Sequence, residues 1–157
     1  MRRAVFLMRR GLTLAVLLGL VVAGCTSSSS PGTPTQTINL TGTWAGNLTV
    51  QGVTGRMTWT LTQAGASNVT GPVTVGLPTG TILMNGFLTG TLSGTNLTYT
   101  ISVGPGGIPT QPTCVGQVAG TMAATIGVVS TLAGTSAVTG SNCAPPFPGG
   151  TITLTKT

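Results

Sequence analysis

The chain has 157 residues, enough for one domain, and it contains no Asp, no Glu and no His. Its formal net charge of +6 comes mostly from four arginines within the first ten residues, so the rest of the chain offers no basic patch for nucleic acid. Most general acid–base catalysis and metal binding need the missing residue types, and we therefore predict a non-enzymatic protein without metal or cofactor.

The first 24 residues have the features of an export signal. An arginine-rich start, MRRAVFLMRR, precedes an apolar stretch of about 14 residues, shorter than the ~20 residues of a membrane-spanning helix. This stretch ends in Val22, Ala23, Gly24 and Cys25. The order resembles the lipobox of bacterial lipoproteins, which implies cleavage between Gly24 and Cys25 and acylation of Cys25. An ordinary secretory signal followed by an unrelated cysteine is the alternative.

The resemblance to lipoproteins also implies a location. Lipid chains on Cys25, palmitate among them, would anchor the protein stably in a membrane of the bacterial cell envelope, since several acyl chains hold better than one. Thr26 rather than Asp follows the cysteine, which in Gram-negative lipoproteins favours the outer membrane. Residues 25–37 are rich in Ser, Thr and Pro and bury too little apolar surface to fold, so we predict a tether there.

Residues 38–157 are predicted to form one all-β domain. Apolar residues alternate with Thr, a period of two that is typical of strands with one buried face. We expect eight strands, at about residues 38–51, 56–63, 68–76, 81–92, 96–103, 114–125, 129–142 and 150–156. Charged residues that would protect free edges are absent, which favours an antiparallel up-and-down barrel over the alternative, a β-sandwich.

The alternation also predicts how neighbouring strands pair. In the first hairpin we expect Val50 opposite Met57, with the turn at residues 52–55. In the fourth and fifth strands we expect Leu92 opposite Leu97. Both registers place the apolar residues of the two strands on the same side of the sheet.

The two cysteines of the domain, Cys114 and Cys143, are predicted to form a disulfide, as expected for an even pair in an oxidising compartment. A metal site is the competing interpretation, but the chain has no His or carboxylate to complete one. In the predicted order, Cys114 opens the sixth strand and Cys143 closes the seventh. Their pairing would put Val118 opposite Thr139, with the turn near residues 127–130.

A short pattern recurs along the domain, in copies that include LTGTW, VTGPV, LTGTL, VAGTM, LAGTS and VTGSN. In an extended strand the apolar residue and the glycine point inward and the Thr residues point outward. Inward glycine lets a strand coil and bend, as the wall of a small barrel requires. The copies are unevenly spaced, so we interpret them as barrel architecture and not as repeated binding units.

The first copy carries a further resemblance. Gly42, Thr43 and Trp44 resemble the G-x-W of lipocalin- and avidin-like barrels, the calycins, and the C-terminal TITLTKT with Lys156 resembles the last avidin strand. The resemblance implies that Trp44 packs across the base of the barrel beside Lys156, in a cation–π pair of about 0.5–1 kcal/mol if exposed. Biotin binding is not implied, because the Asp and most tryptophans of that pocket are missing.

The calycin-like pattern and the inward glycines together suggest a small apolar or neutral ligand inside the barrel. The candidate ligand-binding residues are Trp44, Trp59, Met84 and Tyr99. The alternative is a structural or adhesive cell-surface protein that acts through its Thr-rich faces and Pro-rich loops. A transmembrane barrel is disfavoured, because the outer face is Thr and the chain has only two Trp, one Tyr and three Phe to form aromatic girdles.

Overall fold

The computed structural model describes residues 38–145 and 147–157, without the side chains of residues 147 and 148. The predicted signal peptide, lipidated cysteine and tether lie outside these ranges. The described residues form eight consecutive antiparallel strands that close into a barrel, which confirms the predicted fold class. The strands are β1 (Gly42–Val50), β2 (Val53–Ala64), β3 (Asn68–Gly76), β4 (Ile82–Ser93), β5 (Asn96–Val103), β6 (Gly116–Thr125), β7 (Thr131–Ser141) and β8 (Phe147–Lys156).

Closure is made by β1, which pairs with β2 on one side and with β8 on the other. Trp44 therefore lies between Trp59 and Lys156 on the two neighbouring strands. Every described strand has two hydrogen-bonded neighbours, so the sheet has no free edge in this part of the chain. The buried core takes side chains from all eight strands, and its members run from Leu40 to Leu154. The described residues thus close their own sheet and bury their own core, and we expect residues 38–157 to fold without the preceding segment.

The register of β4 and β5 is as predicted. Leu92 lies opposite Leu97, and Gly90 lies opposite Tyr99. Only Gly94 and Thr95 separate the two strands, and Gly94 has a positive φ of 59°, as the first central residue of a type II′ hairpin turn requires. The short turn leaves no freedom for the strands to slide.

The predicted register of β1 and β2 is wrong. Val50 lies opposite Val53, and Met57 lies opposite Gly46. The turn consists of Gln51 and Gly52, with φ values of 48° and 82°, the two positive values of a type I′ turn. The tighter turn shifts the pairing by an even number of residues, so the same side chains still face the interior.

The predicted register of β6 and β7 holds only near the disulfide. Gly116 lies opposite Ser141 as expected, but Val118 lies opposite Val138 and not Thr139. The register shifts between Gln117 and Val118, which is the position of a β-bulge. The shift pairs the inward-facing Val118 with the inward-facing Val138 and leaves Thr139 exposed, whereas the expected register placed an inward residue opposite an outward one.

The outer surface carries a continuous line of threonines. Cross-strand neighbours on seven strands form this Thr ladder, which consists of Thr91, Thr98, Thr121, Thr135, Thr151, Thr49 and Thr54. The Oγ1 atoms of Thr49 and Thr54 lie 3.1 Å apart. Threonine suits a β-strand and keeps the surface wettable without charge, which accounts for the near absence of charged side chains.

Candidate ligand site at the barrel mouth

One end of the barrel is closed by the segment that leads into β1. Trp44 is fully buried there, and its Nε1 donates a hydrogen bond of 2.8 Å to the carbonyl oxygen of Leu40. Lys156 Nζ lies 5.5 Å from the centre of the Trp44 ring, so the predicted cation–π contact is present. The same Nζ donates to the carbonyl oxygen of Asn39 at 3.3 Å. We call this the closed end.

Gln63 ties the incoming segment to the closed end. Its Oε1 accepts a 2.8 Å hydrogen bond from the backbone N–H of Leu40, and its Nε2 donates to the carbonyl oxygen of Ile38 at 3.2 Å. Leu40 is fully buried and Ile38 packs against the core. The segment therefore acts as a plug, and ligand entry from this end is blocked.

The middle of the barrel is filled by an aromatic pair. The ring centres of Trp59 and Tyr99 lie 5.1 Å apart with an interplanar angle of 64°, an edge-to-face arrangement. Tyr99 lies opposite Gly90 on one neighbouring strand and Gly120 on the other. Its ring passes Gly120, and its Oη donates a 3.0 Å hydrogen bond to the carbonyl oxygen of Thr135.

The opposite end, which we call the mouth, holds two apolar cavities. The loop cavity, of about 180 Å³, lies under the β5–β6 and β7–β8 connections and is bordered by Ile108. The barrel cavity, of about 140 Å³, lies against the β1 and β2 side and is bordered by Leu48 and Met57. Met84, Val118 and Val138 border both cavities, so the two cavities adjoin at these three side chains.

The disulfide forms part of the wall of the loop cavity. Cys114 and Cys143 are bonded, with their Cα atoms 5.6 Å apart, and both border this cavity. Asn142 reinforces the junction, because its Oδ1 accepts a 2.9 Å hydrogen bond from the backbone N–H of Val115. On the other side, the backbone N–H of Asn85 donates to the carbonyl oxygen of Gly107 at 2.7 Å. The β5–β6 loop is thus fixed at both sides of the mouth.

The structure places the four predicted ligand residues at different depths. Trp44 lies in the closed end, Trp59 and Tyr99 lie in the packed middle, and only Met84 borders the two mouth cavities. Trp59 Nε1 is buried and finds no acceptor among the described residues. Val118 and Val138 were missed, because their alternation marks them as interior but gives no sign of their depth.

Tyr99 is a titratable side chain that the barrel buries almost completely. Burial raises the pKa of Tyr99, because desolvation disfavours the phenolate. Unfolded Tyr ionises near pH 10, so the stabilising effect of the neutral ring is fully present below about pH 10 and is lost as the pH rises further. Residues 38–157 contain no Asp, Glu or His, and their two cysteines are disulfide-bonded, so no side chain of this part takes up a proton between about pH 5 and pH 9.

We therefore expect the free energy of unfolding of residues 38–157 to be constant from about pH 5 to pH 9 and to fall above about pH 10. Urea unfolding monitored by tryptophan fluorescence across this range measures it. The Tyr99→Phe variant, which cannot ionise, should lose the alkaline decrease. A decrease in stability between about pH 5 and pH 7 would contradict the expectation.

Among the residues that the structure describes, no helix is both long enough and apolar enough to cross a membrane. Comparisons with protein-family models, with curated proteins and with solved structures returned no significant match to the chain. The class of protein is therefore set by the structure alone: an eight-stranded antiparallel barrel, compatible with a calycin-like body, with one plugged end and one apolar mouth.

Proposed function

We propose that the chain is a lipid-anchored lipoprotein of the bacterial envelope that performs no catalysis and holds a small apolar or neutral ligand in its barrel. The order of n-region, apolar stretch and Val22-Ala23-Gly24-Cys25 supports the anchor. The lack of acids and imidazoles argues against an enzyme. The observation that best supports a ligand is the pair of apolar cavities at the mouth, which adjoin at Met84, Val118 and Val138.

The size of the cavities limits the ligand. Drug-sized ligands need about 300–1,000 Å³, whereas an apolar cavity of about 150 Å³ holds a benzene ring. The loop cavity, at about 180 Å³, belongs to the second class. The ligand we propose is therefore a molecule of about benzene size, or the end of a longer apolar chain whose remainder projects from the mouth. Among the described residues, Ser136 has the only side-chain hydroxyl that borders the barrel cavity, so a polar ligand would form few hydrogen bonds there.

Methionine methyl groups offer a direct test with benzene and hexane as probes. We expect either probe to shift the methyl NMR signal of Met84 and to leave that of Met122 unchanged, since Met122 is in the packed core and borders neither mouth cavity. Val118 borders both cavities, so in the Val118→Phe variant the added ring fills space in them, and the affinity for both probes should fall at least about tenfold.

Ala119→Phe is the matched control, because the next residue of the strand faces outward and adds the same ring to the opposite side of the wall. It should bind both probes as the wild type does. Shifts at Met122 with none at Met84, or equal affinities in the Val118→Phe and wild-type proteins, would refute the ligand proposal.

The adhesive alternative has one observation of its own. The Thr ladder borders an open depression on the outer face, whose lining includes Ala119, Ala137 and the ladder residues Thr121 and Thr135. A hydroxyl-lined surface without charge suits a neutral, hydrogen-bonding partner such as a polysaccharide. Retention of the barrel on a neutral glucan, sensitive to Thr135→Val and accompanied by no probe binding at the mouth, would favour this function over the ligand.

A further inference from the structure

Large apolar side chains are exposed around the mouth. They form a set that we call the collar, which consists of Val53, Leu77, Ile82, Leu83 and Val115. Their exposed fractions run from 36% for Leu77 to 68% for Val53, so this surface is apolar and in contact with solvent. Such a concentration at one end of a small protein marks an interaction surface.

The collar is spread around the opening. Val53 follows the β1–β2 turn, Leu77 and Ile82 flank the β3–β4 connection, and Val115 ends the β5–β6 loop. Three of the four connections at the mouth therefore contribute. At the closed end, exposed large apolar residues occur in only one described connection, at Val128 and Val129.

The collar lies at the rim of the barrel and lines neither mouth cavity. Met84, which borders both cavities, lies opposite the buried Val75, whereas Ile82 lies opposite the next residue, Gly76, because the register shifts between them. Ile82 is therefore exposed, two residues along β4 from a side chain of the cavity wall.

The charge around the collar is limited to one cation. Arg56 is exposed on β2, three residues after Val53, and lies opposite Gly76, the residue before Leu77. The chain has no Asp or Glu, so no acidic side chain repels an anionic surface. Exposed apolar side chains with an adjacent arginine are typical of protein surfaces that bind in the headgroup region of a bilayer.

We propose that the collar docks on a phospholipid surface, with its apolar side chains among the upper acyl segments and Arg56 at anionic headgroups. This contact is separate from the proposed lipid anchor on Cys25, and it stands whether or not the cavities hold a ligand. It gives the mouth direct access to acyl chains, because the bilayer surface then covers the opening.

Vesicle partition of residues 38–157 tests the proposal, since this part carries neither signal nor lipid. With vesicles of phosphatidylethanolamine and phosphatidylglycerol, we expect the protein to sediment with the lipid. The double variant Ile82→Ser with Leu83→Ser should lower the partition coefficient at least about tenfold. Val53→Ser alone, which leaves β4 intact, should lower it less but measurably. Arg56→Gln should lower it about fivefold on these vesicles and leave partition into phosphatidylcholine unchanged.

The matched control is Val128→Ser with Val129→Ser, which removes two exposed valines at the closed end and should partition as the wild type does. Val118→Phe, which blocks the cavities, should also partition normally, so a failed ligand and a failed docking surface give different results. Equal partition of the collar variants and the wild type would overturn the proposal. So would a collar-dependent dimer by light scattering with no vesicle binding, which would make a second copy the occupant.

Discussion

Replacement of Gly134 by alanine is expected to lower the free energy of unfolding by about 2–3 kcal/mol, whereas the same change at Gly140 leaves it within about 1 kcal/mol. Both glycines lie on β7, in the copies LAGTS and VTGSN of the recurrent pattern. A Cβ atom on Gly134 would overlap the carbonyl oxygen of Thr121 on β6, and backbone cannot move aside cheaply. A Cβ on Gly140 would meet nothing within 4 Å, because this residue borders the loop cavity.

Urea unfolding of both variants measures the difference, with circular dichroism to show that each still folds into strands. Gly120→Ala provides a second case, because its Cβ would overlap the carbonyl oxygen of Thr135. Equal stability of the Gly134→Ala and Gly140→Ala variants would contradict this prediction. It would mean that β6 and β7 can move apart without loss of stability, and that the recurrent glycine is not needed for their close approach.

Loss of the disulfide is expected to cost about 3–4 kcal/mol of stability. The bond joins residues 29 apart in sequence, and the released chain gains the entropy of a loop of this length. The double variant Cys114→Ala with Cys143→Ala should therefore unfold at a lower denaturant concentration than the wild type. Because the bond borders the loop cavity, amide exchange in residues 104–115 should also increase, while β1 and β2 stay protected.

A reducing agent offers an independent measurement on the wild-type chain. It should reproduce the lower stability of the double variant, and it should leave the double variant itself unchanged. A wild-type protein that unfolds identically with and without reductant, under conditions where free thiols are detected, would show that the loops are held by their hydrogen bonds alone. Asn142 and Asn85 supply the contacts that would then explain the result.

The parts of the fold that were predictable from sequence depend on local rules. Alternation identified eight strands, and the short turn at Gly94 and Thr95 fixed the β4–β5 register. The contact between Trp44 and Lys156 followed from a resemblance at the two ends of the domain. Barrel closure followed from the missing edge charges, because a free edge without them would aggregate.

The two errors in register have different physical causes. A non-glycine residue, Gln51, takes a positive φ in the first turn, and the glycines at 52 and 55 both suggested a turn displaced from it. A period of two fixes which side a residue faces but allows the strands to slide by two or four positions. The bulge at Gln117 and Val118 has a different cause, because the expected register was extended from the cysteines and placed the inward Val118 opposite the outward Thr139.

The candidate site was predictable only in outline. Aromatic residues suggested a pocket, but large rings fill a narrow barrel, and Trp59 and Tyr99 pack against each other instead of leaving space. The cavities lie instead near the disulfide, where the smaller side chains of Val118 and Val138 pack beside the flexible side chain of Met84. Cavity position depends on the sum of packed volumes in three dimensions, and no single position in the sequence encodes it.

The ends of the described barrel meet. Thr157 donates its backbone N–H to the carbonyl oxygen of Thr43 at 3.0 Å, and β8 pairs with β1 as any other two neighbours do. The sheet is therefore closed, and the two ends of the described barrel lie next to each other at the β8–β1 pair. A circular permutant could join Thr157 to Ile38 by a short linker and open the chain in the exposed connection between β6 and β7. This rearrangement would preserve all eight pairs of neighbouring strands. Such a chain would carry its N-terminus on a different strand while the plugged end and the mouth stay as they are.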